Sequence, residues 1–412
     1  MDMSRWLTAK RLRAHGLLLA LTLWLVYFWI LATPGLRDRN GNLKGTDFLH
    51  FYTIGTLARQ HRGAELYDMS AQAALAARRV PEAAGIRYLP LYPPQVSLLF
   101  APFASLSYGQ ALIAWWILNV LIYGACCFAI WKVCPNLQSS GGIVALAAIA
   151  FPGFFNLIAW GQTSGLALGC FTLLFFMLRD RRDFLAGLIL GLLIFKPQLG
   201  MAAAVLFLAL GRWKVVLGAV ISAAAELSVG TLYYGWQPLR SWIRVLGNVR
   251  NVSLMLEPRP YQTHSLRTFW SMLIPWEPAS LALYLISAAV VLGWTIVVWR
   301  RSDIWRLRYS LLLLATVLVS PHLTVYDLVI LAPGFLLLAD WLMGQPRSGF
   351  NGLIGTTFYL AYVLPLLVPI ARWTHIQFSV LAMTLLVYLV WKEVRSTTSH
   401  VESLHASPIR VN

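Results

Sequence analysis

Long apolar runs recur along the whole chain, separated by short polar or basic segments. They cover about 17–32, 110–131, 142–159, 163–178, 184–199, 201–211 and 215–232, then, past a polar stretch, 280–299, 308–321, 324–342, 353–371 and 376–391. A helix needs about 20 apolar residues to cross a bilayer, and the hydrocarbon offers its backbone no hydrogen-bond partner but itself. The pattern predicts an all-α polytopic membrane protein with about twelve crossings, give or take about two because several runs are short.

Composition agrees. The 412 residues are 58% apolar and 12% charged, where a soluble domain carries about a quarter charged residues. That balance excludes a cytosolic globular enzyme, a coiled coil and a disordered chain. A net charge of +17 would suggest nucleic acid in a soluble protein. In a membrane protein it follows from basic cytoplasmic loops, with membrane lipids rather than nucleic acid as the partner. Cys126, Cys127, Cys134 and Cys170 lie in or beside apolar runs, without the spacing of a disulfide framework or metal site. The basic N-terminus precedes an apolar run that no small-x-small cleavage site follows, so an uncleaved anchor is expected.

Charge orients the runs. With the N-terminus inside, the inner segments are 1–16, 132–140, 179–183, 211–214, 300–308, 343–351 and 392–412, and they hold most of the basic residues between spans. The short outer connections carry chiefly Lys196 and Arg372. Cytoplasmic N- and C-termini are therefore expected, with 1–16 and 396–412 as cytoplasmic tails of a membrane domain over 17–395. Two outer loops are long, 34–108 and 233–279. Their half-apolar stretches 48–59 and 241–249 suit helices lying in the membrane interface. Chemistry is expected on such loops.

Asp47, in Gly45-Thr46-Asp47-Phe48, begins the first of those stretches. Thr46 or Asp47 can cap the helix, or Asp47 can be a general base whose pKa partial desolvation raises. Tyr88-Leu89-Pro90-Leu91-Tyr92-Pro93-Pro94 fixes an extended lead into an apolar run too short to span, a re-entrant or interfacial helix. Gln162 and Lys196 lie in outer connections; Lys196 either snorkels or meets a phosphate. Arg259, His264 and Arg267 share the second long loop, as headgroup contacts or as ligands. Ser320-Pro321-His322 leads to Tyr326 and Asp327, and His322 and Tyr326 share a face if that segment is helical. His322 reads as a structural histidine or as a phosphate or proton partner. The chain has no Walker, dinucleotide or HExxH motif.

In order and spacing these pieces resemble the family 87 glycosyltransferases of the GT-C superfamily. The resemblance rests on Asp47-Phe48 with Tyr52, Leu66-Tyr67-Asp68, Tyr92-Pro93-Pro94, Gly161-Gln162, Ala186-Gly187 with Lys196-Pro197, the 262–267 stretch and Ser320-Pro321-His322. Gln262-Thr263-His264-Ser265 stands where the family more usually has Asn-Gln-Ser. The resemblance implies a GT-C-like bundle and a hexosyltransferase, usually a mannosyltransferase, of the plasma membrane. It would move a sugar from a polyprenyl-phosphate donor to a lipid or glycan acceptor on the outer face, with inversion. Asp47 is then the catalytic base, and Lys196, Arg259, His264, Arg267, His322, Tyr92 and Gln162 the substrate-binding candidates. No cofactor is expected, the lipid-linked sugar being a substrate; a divalent metal stays open. The alternatives are a transporter or flippase for an anionic or lipid-linked substrate, against which stand the two long outer loops and the absence of duplicated halves, and a membrane scaffold without a catalytic site.

Overall fold

The structure, a computed structural model, describes residues 8–248, 259–346 and 348–406, the stretch 397–406 as backbone alone. Its α-helices among those residues are α1 (Ala9–Leu31), α2 (Phe48–Arg59), α3 (Met69–Arg79), α4 (Gln95–Phe100), α5 (Tyr108–Lys132), α6 (Gly141–Ile149), α7 (Pro152–Trp160), α8 (Ser164–Arg179), α9 (Asp183–Gly191), α10 (Pro197–Ala209), α11 (Trp213–Tyr234), α12 (Trp236–Gly247), α13 (Leu266–Leu273), α14 (Glu277–Arg301), α15 (Trp305–Val319), α16 (Leu331–Met343), α17 (Gly349–Val363), α18 (Val368–Thr374) and α19 (Phe378–Ala406). Short 3-10 turns join several of them. Extended backbone pairs only at two isolated bridges among the described residues, Arg37 with Leu43 and Thr263 with Thr324.

The expectation of an all-α membrane protein holds; the count of about twelve crossings does not. Among the described residues, six helical segments are long and apolar enough to cross a membrane, or seven if Pro135–Ile149 and Pro152–Trp160, bent by 42°, form one span. The apolar runs at 163–178, 184–199, 201–211 and 308–321 instead fold as helices of 13 to 16 residues. These are about 20–24 Å long against a hydrocarbon core of ~30 Å. They pack inside the bundle. A Cβ on Gly187 would stand 2.2 Å from the Val215 carbonyl oxygen, so α9 and α11 touch backbone to backbone.

A main core fills the bundle, with Phe171, Phe207, Leu312 and Val387 among its buried members. A second core joins Phe48, Phe51, Leu57, Phe100 and Trp115. Residues 43–107 thus fold as a helical cap seated on the first turns of α5. This corrects the interfacial reading of 48–59. The helix α2 is there, but Phe48 to Ala58 are buried on every face, whereas an interfacial helix keeps a polar face in water. The helix α12 turns Leu239 and Trp242 inward, and Trp242 Nε1 donates to the Leu91 carbonyl at 2.9 Å.

The bundle has two chemically distinct ends, and α8 runs between them. At its Arg179 end the basic loops meet. Arg212 pairs with Asp183, Arg308 with Asp303 at 3.0 Å and Arg306 with the buried Asp340 at 2.8 Å. Asp340 also accepts from the Asn136 N–H at 2.7 Å. Asp183 and Asp303 are therefore charge partners, as their basic settings imply.

Candidate active site

At the Ser164 end, α7 stops on Gly161, whose φ of +68° suits glycine. A Cβ there would stand 2.8 Å from Phe48 Cβ, so this turn presses against the start of α2. The Trp160 carbonyl accepts the Asp47 N–H at 3.1 Å, and Gln162 Nε2 donates to Asp47 Oδ2 at 2.6 Å. Gln162 Oε1 receives the Tyr92 hydroxyl and the Thr163 N–H, each at 3.3 Å. Two donors on the amide oxygen leave its nitrogen to face the carboxylate. One turn thereby holds Asp47 by backbone and side chain. The capping reading fails: the Asp47 side chain makes no cap bond to α2, and Thr46 Oγ1 donates to the Leu43 carbonyl.

Asp47 is half-buried. Burial pushes its carboxyl up to about 6; the Gln162 hydrogen bond and the Lys196 charge pull the other way, and Asp327 adds to the rise. Lys196 does not snorkel. It is 4% exposed, and its Nζ donates to Asp327 Oδ1 at 2.7 Å and to Ser164 Oγ at 3.0 Å. Ser164 Oγ donates to the same carboxylate oxygen at 2.5 Å, and the Thr324 N–H to Asp327 Oδ2 at 3.3 Å. The Lys196 ammonium also lies 5.0 Å from the Tyr326 ring centroid. The starts of α8, α10 and the 3-10 turn Val325–Ile330 converge on this pair.

Of the predicted residues, Asp47, Tyr92, Gln162 and Lys196 come together here. A second group sits beside them. The Thr263–Thr324 bridge ties the second long loop to the segment that carries Asp327, and Arg267 Nη1 donates to the Pro321 carbonyl at 3.2 Å, next to His322. That segment is not helical at 320–324, so the expected shared face of His322 and Tyr326 is not formed. His264 is buried and its Nδ1 bonds Ser379 Oγ at 2.7 Å; burial pushes its pKa down to about 3, which leaves a neutral ring. Arg259 is exposed, next to 249–258, which together with Glu257 lie outside the described residues.

Sequence reasoning placed Asp327 near the cluster but not as the partner of Lys196, and it passed over Ser164 and His50. For His50 a signal existed: it stands three residues after Asp47, one helical turn along. Among the described residues no group of three or more His, Cys, Asp or Glu side chains is placed to hold a metal ion.

The profile of glycosyltransferase family 87 matches residues 91–321, more than half of the chain. The matched stretch contains Tyr92, Gln162, Lys196, His264 and Arg267; Asp47 precedes it and His322 follows it directly. No significant match to a curated protein or to a solved structure accompanies it. An all-helical bundle of membrane-length helices, a carboxylate held at the junction of cap and bundle, and this match lead to one conclusion: the chain belongs to glycosyltransferase family 87.

Proposed function

We propose that this glycosyltransferase is a GT-C-like hexosyltransferase that moves a sugar, mannose in the first instance, from a polyprenyl phosphate to a hydroxyl of a lipid or glycan acceptor. The acceptor hydroxyl gives its proton to Asp47 as its oxygen bonds the anomeric carbon. The bond from that carbon to the phosphate oxygen breaks, and its electron pair leaves with the polyprenyl phosphate. One such displacement inverts the anomeric centre. The observation that carries this reading is the Asp47 carboxylate, half-buried, with Oδ2 tied to Gln162 at 2.6 Å and Oδ1 left for the acceptor.

The departing phosphate needs positive charge aimed at it. Lys196 is neutralised by Asp327 at 2.7 Å, so we assign that task to Arg267 and His322, which Pro321 brings together. Lys196 instead tempers the charge around Asp47. The Asp47 end lies opposite the end where the basic loops meet, and such loops face the cytoplasm. The reaction is accordingly placed on the outer face of the plasma membrane. Incubating purified protein with radiolabelled polyprenyl-phosphate mannose and a membrane lipid extract should yield a labelled product, and Asp47→Ala should give none while still inserting. Product formation at the parent rate by Asp47→Ala would remove Asp47 from the mechanism.

A further inference from the structure

One helical turn beyond Asp47, His50 is 5% exposed and lines a crevice of about 200 Å³ with Ile54, Tyr67, Tyr92, Pro93 and Ser97. That is below the roughly 300–1,000 Å³ of a drug-sized pocket and admits one arm or ring edge of a ligand. The side-chain polar groups around it are engaged, with one exception. The Tyr67 hydroxyl donates to the Tyr92 carbonyl at 2.9 Å, the Tyr92 hydroxyl to Gln162, and Ser97 Oγ to the Pro94 carbonyl at 2.6 Å. His50 Nδ1 is buried with no partner. Such a group is costly to leave unpaired.

The neighbours of His50 decide what it offers. Gln72 hydrogen-bonds the His50 ring, and the Gln72 amide nitrogen already donates to the Leu66 carbonyl at 2.6 Å. The Gln72 oxygen therefore faces the imidazole and takes an N–H from it, which leaves Nδ1 as a bare acceptor. Burial pushes the His50 pKa down to about 4, so the ring stays neutral at physiological pH. No Lys or Arg lines the crevice. An acceptor atom without a cation repels phosphate and welcomes a hydroxyl. Aromatic and proline faces flank it: the His50 and Tyr92 rings lie 5.8 Å apart.

We propose that this crevice is the acceptor subsite: a neutral hydroxyl on a sugar or glycerol arm donates to His50 Nδ1 and lies along Tyr92, which delivers a neighbouring hydroxyl to Asp47. The inference rests on the transferase reading above and names the chemistry of its second substrate. Tyr92 borders both places, through its ring in the crevice and through its hydroxyl on Gln162.

The test measures binding of glycerol and of methyl α-D-mannopyranoside, without donor, to the full chain in phosphatidylcholine nanodiscs by saturation-transfer NMR. The parent and Asp47→Asn should bind both, and inorganic phosphate should displace neither. His50→Phe should weaken binding at least tenfold, and His50→Gln, which restores an acceptor oxygen, should recover part of it. Where His50→Phe fails to fold, Ile54→Phe fills the same crevice and should have the same effect. In transfer assays His50→Phe should raise the acceptor KM and leave the donor KM unchanged. Parent-like binding by a folded variant, no binding by the parent (an ordered water only), or an unchanged acceptor KM would each overturn the subsite. Absence of sugar transfer by the parent would instead defeat the transferase reading, and the binding results would stand apart from it.

Discussion

At Asp47, burial raises the carboxyl pKa while Gln162 and Lys196 hold the rise to about 6. A base of that strength is ionised at neutral pH yet takes a proton readily. The sign of the linkage follows. The folded state binds this proton more tightly than the unfolded chain, whose Asp titrates near 4. The contribution of Asp47 to stability is therefore greatest below about pH 4, and it declines as pH rises to about 6. At neutral pH the buried charge costs on the order of 3 kcal/mol. Asp47→Asn should raise the thermal midpoint at pH 7.5 and leave it unchanged near pH 4, while transfer falls roughly 10²–10⁴-fold; scans at the two pH values read this directly. Gln162→Leu removes the hydrogen bond that opposes burial, so the acid limb of the transfer rate should move above pH 6. A purely structural role for Gln162 would lower the rate at every pH alike. The Lys196–Asp327 pair calls for a double-mutant cycle. Lys196→Met strands a buried carboxylate and should cost about 3–5 kcal/mol, whereas Lys196→Met with Asp327→Leu should come back to within about 1–2 kcal/mol of the parent.

Among the elements, the α7–α8 turn does most to build the site, because it fixes Asp47 and Gln162 together. Gly161→Ala would place a methyl 2.8 Å from Phe48 Cβ at a φ of +68°, a left-handed backbone that costs a residue with a Cβ roughly 1–2 kcal/mol before any clash. Denaturant unfolding should register that loss, and transfer should fall with it as Gln162 leaves Asp47. The sequence marks the element α2 well, since the stretch 48–59 is the helix observed. Its surroundings were not legible. Every side of α2 is covered by partners far along the chain, Phe100 and Trp115 among them, and local pattern carries no record of what closes over a helix. The same limit explains the span count. Hydropathy marks apolar runs, but the turns at Gly161 and Lys196 decide that the runs become short, internal helices.

Over the whole molecule, charge separates the two ends. The basic loops that the sequence assigns to one side do meet in the structure, through Arg212 with Asp183 and Arg306 with Asp340. Asp47 and its partners gather at the other end. With the exposed Asn40 replaced by Cys, a membrane-impermeant maleimide should label intact cells; with the exposed Asp303 replaced, labelling should require permeabilisation. Of the native cysteines, Cys126, Cys127 and Cys134 are buried and Cys170 is partly so, which keeps background reaction low. The reverse labelling pattern would put Asp47 in the cytoplasm and sink the outer-face assignment.

Composition and periodicity alone determine that this chain is helical, lives in a bilayer and sorts its positive charge, because each of those properties is a sum over local segments. Asp47 was visible as a candidate for a similar reason: it is an acidic residue at the start of a half-apolar stretch. Tertiary structure alone decided its partners. Gln162 is 115 residues from Asp47, and Lys196 is 131 residues from Asp327. No local signal distinguishes a lysine that will meet lipid phosphate from one that will meet a buried carboxylate. The distinction arises only when helix ends from distant parts of the chain converge and water is excluded between them.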